Sequence, residues 1–360
     1  MKPKSVTLYD VAENAGVSYQ TVSRVINQAS HVSEKTRLKV EAAMAALNYV
    51  PNRVAQQLAG KLSQTIGLAT TNLSLHAPSQ IVAAIKTQAG GMNFNVVISM
   101  IESPGLAACK AAVNGLLSQR VDGLIVNIPL ENEDALAVQE ACGGVPTLFL
   151  DVSPKLAANA IVFDPFEGAK LGIEHLLGLG HKQIALLSGP RSSVSARLRF
   201  EGWKQTLSRH NLQPCAVMEG DWSSLSGFEQ VSGLLRSGQI PTGIIVANDQ
   251  MALGALRALA EQGLAVPGEV SVVGYDDTED SACFIPPLTT VKQDFKNLGK
   301  ASVNRLMELI SRPEAQPQAQ VLPVTLVERK TTAAPGANAV SAQALSEALL
   351  VLARQVGRLR

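Results

Sequence analysis

Three long polar side chains lie within six residues near the N-terminus, in the stretch VSYQTVSRVIN that runs from Val17 to Asn27. They belong to Tyr19, Gln20 and Arg24. In the DNA major groove an arginine can donate two hydrogen bonds to guanine, and a glutamine can both donate to and accept from adenine. Three solvated polar residues on a surface helix are the alternative. The DNA-reading interpretation therefore depends on the elements that hold these side chains.

The surrounding sequence predicts three short helices. Thr7 and Asp10 form a capping pattern that opens a first helix, and Gly16 supplies a turn after it. Ser18 can cap a second helix, and Ser33 starts a third that is rich in alanine and lysine. Two helices joined by a tight turn, with a third packed behind them, form a helix-turn-helix unit. In such a unit the N-terminal end of the second helix enters the major groove.

The basic charge of the chain is concentrated around these helices. The whole chain carries a net charge of +1, whereas residues 1–61 contain eight Lys or Arg against four acids and therefore carry +4. A basic cluster is the electrostatic footprint of a nucleic-acid partner. Because charge clusters are commonly just solvated surface, this observation supports DNA binding without establishing it.

Neither a membrane protein nor a metalloprotein is indicated. The chain shows no signal-peptide pattern and no apolar run near the ~18 residues that a membrane span requires, so we expect a cytoplasmic protein without a membrane partner. The cysteines lie far apart and form no CxxC pair, so we expect buried thiols rather than zinc ligands or disulfides. They are Cys109, Cys142, Cys215 and Cys283.

The sequence carries no motif for an enzyme. GxGxxG, GxxxxGK[ST], GxSxG and HExxH are all missing, and the five histidines lack the spacing of metal ligands. We place His175 and His181 in a helix-to-strand connection, with a structural or solvated role. Asp276 and Asp277 resemble a glycosidase pair only in composition, since neighbours at a strand end point apart. We therefore expect no catalytic residue, no metal and no cofactor.

From Thr65 onward, apolar runs rich in β-branched residues alternate with helical patterns, which predicts parallel sheets covered by helices on both faces. Roughly 260 residues of this pattern would give more strands than one sheet usually holds. The expected fold class is therefore α/β, with two doubly wound parallel-sheet subdomains and a cleft between them. The predicted strands are TIGLAT, NVVISMI, DGLIVNI, PTLFLDV, NAIVFD, QIALLSG, GIIVAN and VSVVGYDD.

Polar side chains follow several of these strands. Ligands of open α/β sheets bind outside the carboxyl ends of the strands, and Asp151, Phe163, Asn248 and Asp276 all fall at such ends. We therefore expect them near one crevice, where Asn248 and Asp276 could bind sugar hydroxyls together with Arg199. Each has an alternative role, because Asp and Asn are common turn residues and Arg199 can form a surface ion pair.

The chain is very similar to a known family. The stretch YDVAENAGVSYQTVSRVIN closely resembles the DNA-binding signature of the LacI/GalR repressor family, and the resemblance continues through NYVPNRVAQQLAGK, VANDQMALGA and VVGYDDTEDSACFIPPLTTVKQDF to the leucine-rich tail. It implies a repressor of a lactose-type operon that binds double-stranded operator DNA and is released by a small-molecule galactoside inducer. It also implies a periplasmic-binding-protein-like core.

Three other functions remain open on the sequence. One is a family member that responds to a different sugar or small metabolite. The second is a transport-type sugar-binding protein, but that role needs a signal peptide and no DNA-binding head. The third is a carbohydrate enzyme, which turnover of β-galactosides would reveal.

The resemblance also implies which residues contact DNA and effector. The DNA-binding residues are Leu8, Ser18, Tyr19, Gln20, Ser23, Arg24, Asn27, His31, Asn52, Ala55, Leu58 and Ala59. The effector-binding residues are Leu75, Pro78, Ile81, Asn127, Asp151, Phe163, Ser195, Arg199, Trp222, Asn248, Asp276, Gln293 and Phe295. In the second set, aromatic rings would suit the C–H faces of a pyranose, although aromatic residues are also common in cores.

Between the three helices and the large domain lies PNRVAQQLAGK. Asn52 is a good N-cap and Gly60 a good stop, but the seven residues between them are too few for a helix stable alone, since ~12–15 are marginal. We predict a conditional hinge helix. The resemblance implies that two copies pair in the operator minor groove with Leu58 as an apolar wedge. An ordinary capped linker is the alternative.

The C-terminal tail carries a heptad pattern. After the linker KTTAAPGANAVS the apolar positions recur at alternating spacings of three and four, although Gly357 weakens the last turn. These positions are Ala342, Leu345, Leu349, Leu352, Val356 and Leu359. A terminal helix docked on the core is the alternative. The resemblance implies a homo-oligomer, with a dimer through the core and a tetramer through the tails. The expected domains are residues 1–50 (head), 51–61 (hinge), 62–332 (core) and 333–360 (linker and tail).

Overall fold

A computed structural model describes residues 6–26, 31–50, 62–103 and 105–336. The chain divides into two compact units, Met1–Ser63 and Gln64–Arg360, called here the head and the core unit. Several predictions fall on residues outside the described ranges: the hinge helix at 51–61, the C-terminal helix at 341–360, and the DNA-binding residues Asn27, Asn52, Ala55, Leu58 and Ala59.

The head contains the three predicted helices, α1 (Leu8–Ala15), α2 (Tyr19–Ile26) and α3 (Glu34–Ala46). The hydroxyl of Thr7 accepts from the backbone N–H of Asp10 at 3.4 Å, and the Asp10 carboxylate accepts from the Thr7 N–H at 2.7 Å. This reciprocal capping box starts α1, and Gly16, in the left-handed conformation with φ 64°, ends it. Valines from all three helices form the small core of the head. The predicted helix-turn-helix is confirmed.

The core unit contains two six-stranded sheets, each at the centre of one subdomain. The strands of the first sheet are β1 (Thr65–Thr70), β2 (Asn95–Met100), β3 (Gly123–Asn127), β4 (Thr147–Phe149), β5 (Ala160–Phe163) and β11 (Ala319–Leu322). Those of the second are β6 (Ile184–Ser188), β7 (Ala216–Glu219), β8 (Gly243–Val246), β9 (Ser271–Asp276), β10 (Thr289–Gln293) and β12 (Val324–Val327). The spatial orders are β11-β5-β4-β3-β1-β2 and β12-β10-β9-β8-β6-β7. The expected α/β class with two doubly wound subdomains is confirmed.

Helices cover the sheets. Those of the first subdomain are α4 (His76–Gly91), α5 (Leu106–Leu117), α6 (Asn132–Ala141) and α11 (Phe295–Ser311). Those of the second are α7 (Pro165–Gly178), α8 (Val194–Arg209), α9 (Ser224–Arg236) and α10 (Asp249–Glu261), and a 3-10 helix spans Glu279–Cys283. Alternate residues of β3 face opposite cores: Leu124 packs with α5 and α6, and Ile125 with α4 and α11. The first sheet is therefore buried on both faces, which explains its continuous apolar strands.

One strand departs from the predicted parallel arrangement. β12 pairs antiparallel with β10 at the edge of the second sheet. Only Pro323 separates it from β11, the edge strand of the first sheet, so the chain passes directly from one sheet into the other. The strands β7, β10, β11 and β12 were not among those predicted. Except for β10 these are edge strands with partly exposed, mixed polar sequences, which weakens the apolar signal.

Two smaller predictions need correction. Cys109 and Cys142 are buried as expected, but Cys215 and Cys283 are exposed, because they lie just before the edge strand β7 and in the 3-10 helix. His175 lies within α7 rather than in a connection, and its ring nitrogen contacts the Thr332 hydroxyl at 2.9 Å. Across the described ranges, no cluster of His, Cys, Asp or Glu could hold a metal ion. No helix in this part of the chain is long and apolar enough to cross a membrane.

Candidate DNA-reading surface and ligand-binding cleft

The second helix of the head presents one polar side. Val22 and Val25 face the head's core, while Tyr19, Gln20 and Arg24 are exposed on the other side of α2. The helix start is fixed by Ser18, whose hydroxyl accepts from the Thr21 N–H at 3.2 Å. Ser23 is partly buried beside the exposed residues, His31 is exposed ahead of α3, and Leu8 is half-buried against the head's core. Contact of each of these residues with DNA remains a prediction.

Tyr9 extends this surface and was not among the predicted residues. It is 69% exposed, and its ring stacks on that of Tyr19 with the centroids 4.7 Å apart and the planes inclined by 21°. Tyr19 is 41% exposed, and the ring face that stacks on Tyr9 is covered by the neighbouring helix. An aromatic residue at the start of α1 was the only sequence signal, and the stacking depends on the turn that brings α1 and α2 together.

A cavity of about 360 Å³ lies between the two subdomains, at the carboxyl ends of the strands. All thirteen predicted effector residues line it: Leu75, Pro78, Ile81, Asn127, Asp151, Phe163, Ser195, Arg199, Trp222, Asn248, Asp276, Gln293 and Phe295. This volume suits a small ligand. We call this cavity the cleft. The structure thus brings the predicted set together, while contact with a ligand remains a prediction.

Arg199 is the cationic centre of the cleft. Its side chain rises from α8 and is only 6% exposed. The guanidinium donates to the Ala247 carbonyl and, at 3.3 Å, to the Gln293 side-chain oxygen, and it lies 3.7 Å from Oδ1 of Asp276. It also stacks on Tyr275, with its central carbon 3.7 Å from the ring centroid. The charge is therefore held in one orientation by neighbours on several sides.

The buried polar atoms around this charge that lack a hydrogen-bond partner among the described residues include Nε of Arg199 and Oδ1 of Asp276. Buried polar groups are nearly always satisfied in folded proteins. Since other parts of Arg199 and Asp276 line the cleft, ligand hydroxyls could accept from the guanidinium and donate to the carboxyl group. A vicinal diol of a sugar matches this donor and acceptor pair.

The Trp222 ring lies beside Arg199 and packs against the backbone of Gly189. The φ of Trp222, 79°, is in the left-handed region, and its carbonyl accepts from the Asn248 side-chain amide at 3.0 Å. A Cβ added to Gly189 would lie 2.3 Å from the indole ring, so only glycine leaves room for this ring position. Asn248 also caps α10 by accepting from the Met251 N–H at 2.9 Å. Part of its amide is thus committed to the protein, which leaves one N–H and one lone pair for a ligand.

The cleft is crossed by contacts that join the subdomains. The Ser195 hydroxyl on α8 donates to Oδ1 of Asp151, beyond β4, at 2.6 Å. The Gln250 side chain on α10 accepts from the His76 N–H on α4 at 3.0 Å, and Arg197 on α8 pairs with Glu131 at the start of α6. Burial raises the pKa of Asp151, against the opposing effects of the Ser195 hydrogen bond and the Arg199 charge. These contacts make the cleft sensitive to the relative position of the two subdomains.

The first subdomain supplies the apolar side of the cleft. The Phe163 and Phe295 rings meet edge to face with centroids 6.1 Å apart, and the His76 ring lies 6.5 Å from Phe295. Burial lowers the pKa of His76, so its neutral form is favoured there. Leu75, Pro78 and Ile81 line the same side from the start of α4. This surface suits the apolar face of a sugar ring.

Carboxyl groups near Arg199 are strongly perturbed. Burial raises the pKa of Asp276 to about 7, although the Arg199 charge opposes the shift. Burial also raises the pKa of Asp249 to about 8, and the negative charge of Asp276 adds to the effect. Asp277 instead turns away from the cleft, where it accepts from Arg329 at 2.6 Å and pairs with Lys292 at 3.6 Å. The prediction that Asp276 and Asp277 point apart is confirmed.

Comparison with known proteins identifies the family. A family model described as bacterial regulatory proteins, lacI family, matches residues 7–52, and a periplasmic binding protein-like domain matches residues 173–332. The chain is 63% identical over 359 residues to the lactose operon repressor of Escherichia coli (strain K12), covering 100% of this chain and 99% of the relative. The chain belongs to the LacI family. The resemblance stated from the sequence is confirmed.

Solved structures of a LacI-family relative match the fold. A crystal structure of the lac repressor dimer bound to operator and the anti-inducer ONPF has a TM-score of 0.87 and 63% identity, covering 92% of this chain and all of that one. A second, the lac repressor bound to ONPG in the repressed state, has a TM-score of 0.86 and the same identity, covering 91% of this chain and all of that one.

The LacI-family cleft contains further residues that the sequence did not single out. They include Thr71, Asn72, Glu102, Asp221 and Gln250, which line the cavity. Asp249 and Tyr275 lie just behind it, next to the predicted Asn248 and Asp276. Gln250 and Asp249 directly follow Asn248 in the motif VANDQMALGA, so a search for polar residues at the start of a helix that follows a strand could have found both.

The raised pKa of Asp249 predicts how stability depends on pH. Its carboxyl binds a proton more tightly in the folded state than in the unfolded chain, so it lowers the free energy of unfolding as pH rises from about 4 to about 8. Asn cannot titrate. As pH rises from about 5 to about 8, the unmodified protein should therefore lose stability relative to Asp249→Asn. Urea unfolding at both pH values measures this difference, and a pH-independent difference would contradict the assignment.

Proposed function

We propose that this LacI-family chain is a transcriptional repressor of a lactose-type operon, released from its operator when a galactoside binds in the cleft. The observation that carries the proposal is the cleft itself, whose thirteen predicted effector residues line one cavity in a chain 63% identical to the lactose operon repressor of E. coli. A repressor of a bacterial operon acts in the cytoplasm. The proposed domains are residues 1–50, 51–61, 62–332 and 333–360.

The head would supply sequence recognition. Gln20 and Arg24 carry the donors and acceptors that distinguish base edges, and Tyr19 is held beside them by the stack with Tyr9. Because all of these are exposed on one side of the head, they can approach a major groove together. The basic charge of the head adds attraction to phosphates that is independent of sequence.

The cleft would supply ligand recognition. Arg199 and Asp276 offer a fixed donor and acceptor for sugar hydroxyls, and the Phe163 and Phe295 rings cover an apolar face of the sugar. Contacts between the subdomains, such as Ser195 with Asp151, form at the same cavity. A ligand that favours one relative position of the subdomains therefore shifts the DNA-binding equilibrium by its differential affinity for the two states.

The galactoside would leave the cleft chemically unchanged. A glycosidase needs two carboxyl groups facing one bond, separated by roughly 5 to 9.5 Å. Asp276 and Asp277 do not form such a pair, because Asp277 is bound to Arg329 and Lys292 outside the cleft. The relatives are transcriptional repressors, and the proposed role of the cleft is binding alone.

Operator binding in the presence of galactosides tests the proposal. Fluorescence anisotropy of a labelled lactose-type operator would follow release as a β-galactoside is added at fixed salt, with a matched glucoside as the control sugar. We expect release by an inducing galactoside, weak or no release by the glucoside, and full recovery of unaltered sugar. Tight operator binding that no member of a galactoside panel changes would refute the proposed effector class, in favour of a different sugar or metabolite.

The tail gives a separate prediction. Its heptad pattern of apolar residues favours association of two dimers, which would raise the effective concentration of a second operator. Deleting residues 341–360 should therefore leave an inducible dimer that binds one operator normally but cannot bridge two. Sedimentation equilibrium of the intact and shortened chains measures the change, and dimers of equal mass for both would refute tetramer formation through the tail.

A further inference from the structure

A fully buried carboxylate lies behind the cleft without lining it. Asp249, at the first turn of α10, has 0% exposure. Oδ1 accepts from the Thr290 hydroxyl on β10 at 2.6 Å, and Oδ2 accepts from the backbone N–H of Thr278 at 2.9 Å. One carboxylate therefore connects α10 to β10 and to the segment that leaves β9.

The segment that Asp249 holds has an unusual backbone. Asp276 and Asp277 have φ values of 119° and 58°, in the region that favours glycine. Such conformations persist only when neighbouring contacts hold them. Thr278, the residue that donates to Asp249, follows directly after these two. The hydrogen bond from its N–H therefore fixes the far end of the strained pair.

The near end of the same segment is shaped to admit this carboxylate. A Cβ added to Gly274 on β9 would lie 2.3 Å from Oδ1 of Asp249. Glycine at this position lets the carboxylate lie against the strand two residues before Asp276. Asp249 thus contacts the segment on both sides of Asp276 and Asp277.

Asp276 depends on its backbone for its direction. Its Oδ1 has no hydrogen-bond partner among the described residues, and its nearest charge, on Arg199, is 3.7 Å away. The following carboxylate, Asp277, points the other way toward Arg329. The turn between them, rather than hydrogen bonds to Oδ1, aims Asp276 at the cleft.

We propose that Asp249 is a positioning residue for galactoside recognition: by tethering Thr278 to Thr290 across β9 and β10, it holds the Asp276 carboxylate toward Arg199 and the ligand. The inference rests on the proposed function of the cleft. It extends the site by a residue that does not touch the ligand and acts through Asp276.

The test compares the loss of two buried hydroxyls beside β9 and β10, of which only one bonds Asp249. Thr290→Val removes the hydroxyl that donates a hydrogen bond to Asp249. Thr331→Val is the control, because its hydroxyl is equally buried and bonds the backbones of Thr289 and Val272 at the start of β10 and β9 instead of bonding Asp249. Galactoside affinity is measured by calorimetry on the full chain, and operator binding without sugar checks that each variant is folded.

We expect Thr290→Val to weaken galactoside binding about tenfold, the scale of leaving one buried hydrogen-bonding group without its partner, and Thr331→Val to change it less than about twofold. Asp249→Ala should weaken binding at least as much as Thr290→Val. Asp249→Asn should stay within about threefold, because an amide can still accept from Thr278 and donate to Thr290. Equal losses in Thr290→Val and Thr331→Val, or equal losses in Asp249→Asn and Asp249→Ala, would overturn the tether.

A double-mutant cycle separates positioning from general stability. If Asp249 acts through Asp276, Thr290→Val should lower galactoside affinity by less than about twofold when Asp276→Asn is already present. The titrations use enough galactoside to saturate the variant that binds it most weakly. A loss of the same factor in both backgrounds would show a structural role and overturn the proposal while leaving the cleft's function intact. If the unmodified protein binds no galactoside, the proposed function fails and this inference fails with it.

Discussion

Replacing Arg199 by alanine should abolish the response to galactoside while leaving operator binding intact. The guanidinium is nearly buried, oriented by Ala247 and Gln293, and lies beside Asp276 in the cleft. Hydrogen bonds to charged groups are each worth about 1.5–3 kcal/mol, so loss of two such bonds to a ligand would weaken binding by about 100-fold or more. The variant should behave as a permanent repressor, as measured by operator anisotropy during galactoside titration.

The same variant has a matched control and a secondary effect on charge. Arg209→Ala, at the exposed C-terminal end of α8 where Arg209 bonds only the Gln205 side chain among the described residues, should leave induction unchanged. Losing Arg199 also removes the charge that opposes the upward shift of the Asp276 pKa, so this carboxyl should titrate above about 7. Normal release of operator by the Arg199 variant would remove this residue from the ligand site.

Replacing Arg24 by alanine should weaken binding to the cognate operator much more than binding to random DNA. Arg24 is exposed on the polar side of α2 and can donate two hydrogen bonds to one guanine, an interaction worth about 1–3 kcal/mol of discrimination. Competition binding on operator and random duplexes of equal length, at one salt concentration, measures the ratio. Equal losses on both duplexes would make Arg24 a phosphate contact only.

Lys35→Ala is the control for charge alone. Lys35 is exposed on α3, apart in sequence from the polar side chains of α2. Replacing it by alanine removes the same unit charge as Arg24→Ala. We expect it to weaken the two duplexes by similar factors, with a shallower dependence on salt, because a phosphate contact carries no base information.

Local chemistry in the sequence determined much of what could be predicted. The capping box of Thr7 and Asp10 and the turn at Gly16 are contained within a few residues, so the head could be predicted closely. The rule that ligands bind beyond the carboxyl ends of strands placed Asn248 and Asp276 at the cleft. The family resemblance supplied residues such as Leu75 and Gln293, which no local pattern distinguishes.

The remaining features depend on contacts between distant parts of the chain. Asp249 could not be assigned from its own neighbours, because its partners Thr278 and Thr290 come into reach only when β9 and β10 pair. The close fit of Gly189 to the Trp222 ring likewise needs three-dimensional placement. The antiparallel edge strand β12 follows from the single-residue passage at Pro323, which alternating apolar runs do not reveal.

Galactoside and operator are expected to compete through two states of one protein. This competition is tested most directly by measuring galactoside affinity for the free protein and for the protein saturated with operator, at one salt concentration. Operator should weaken binding of an inducing galactoside by the same factor by which that galactoside weakens operator binding, because coupling between two sites is reciprocal. Equal galactoside affinity for the free and the operator-bound protein would contradict it.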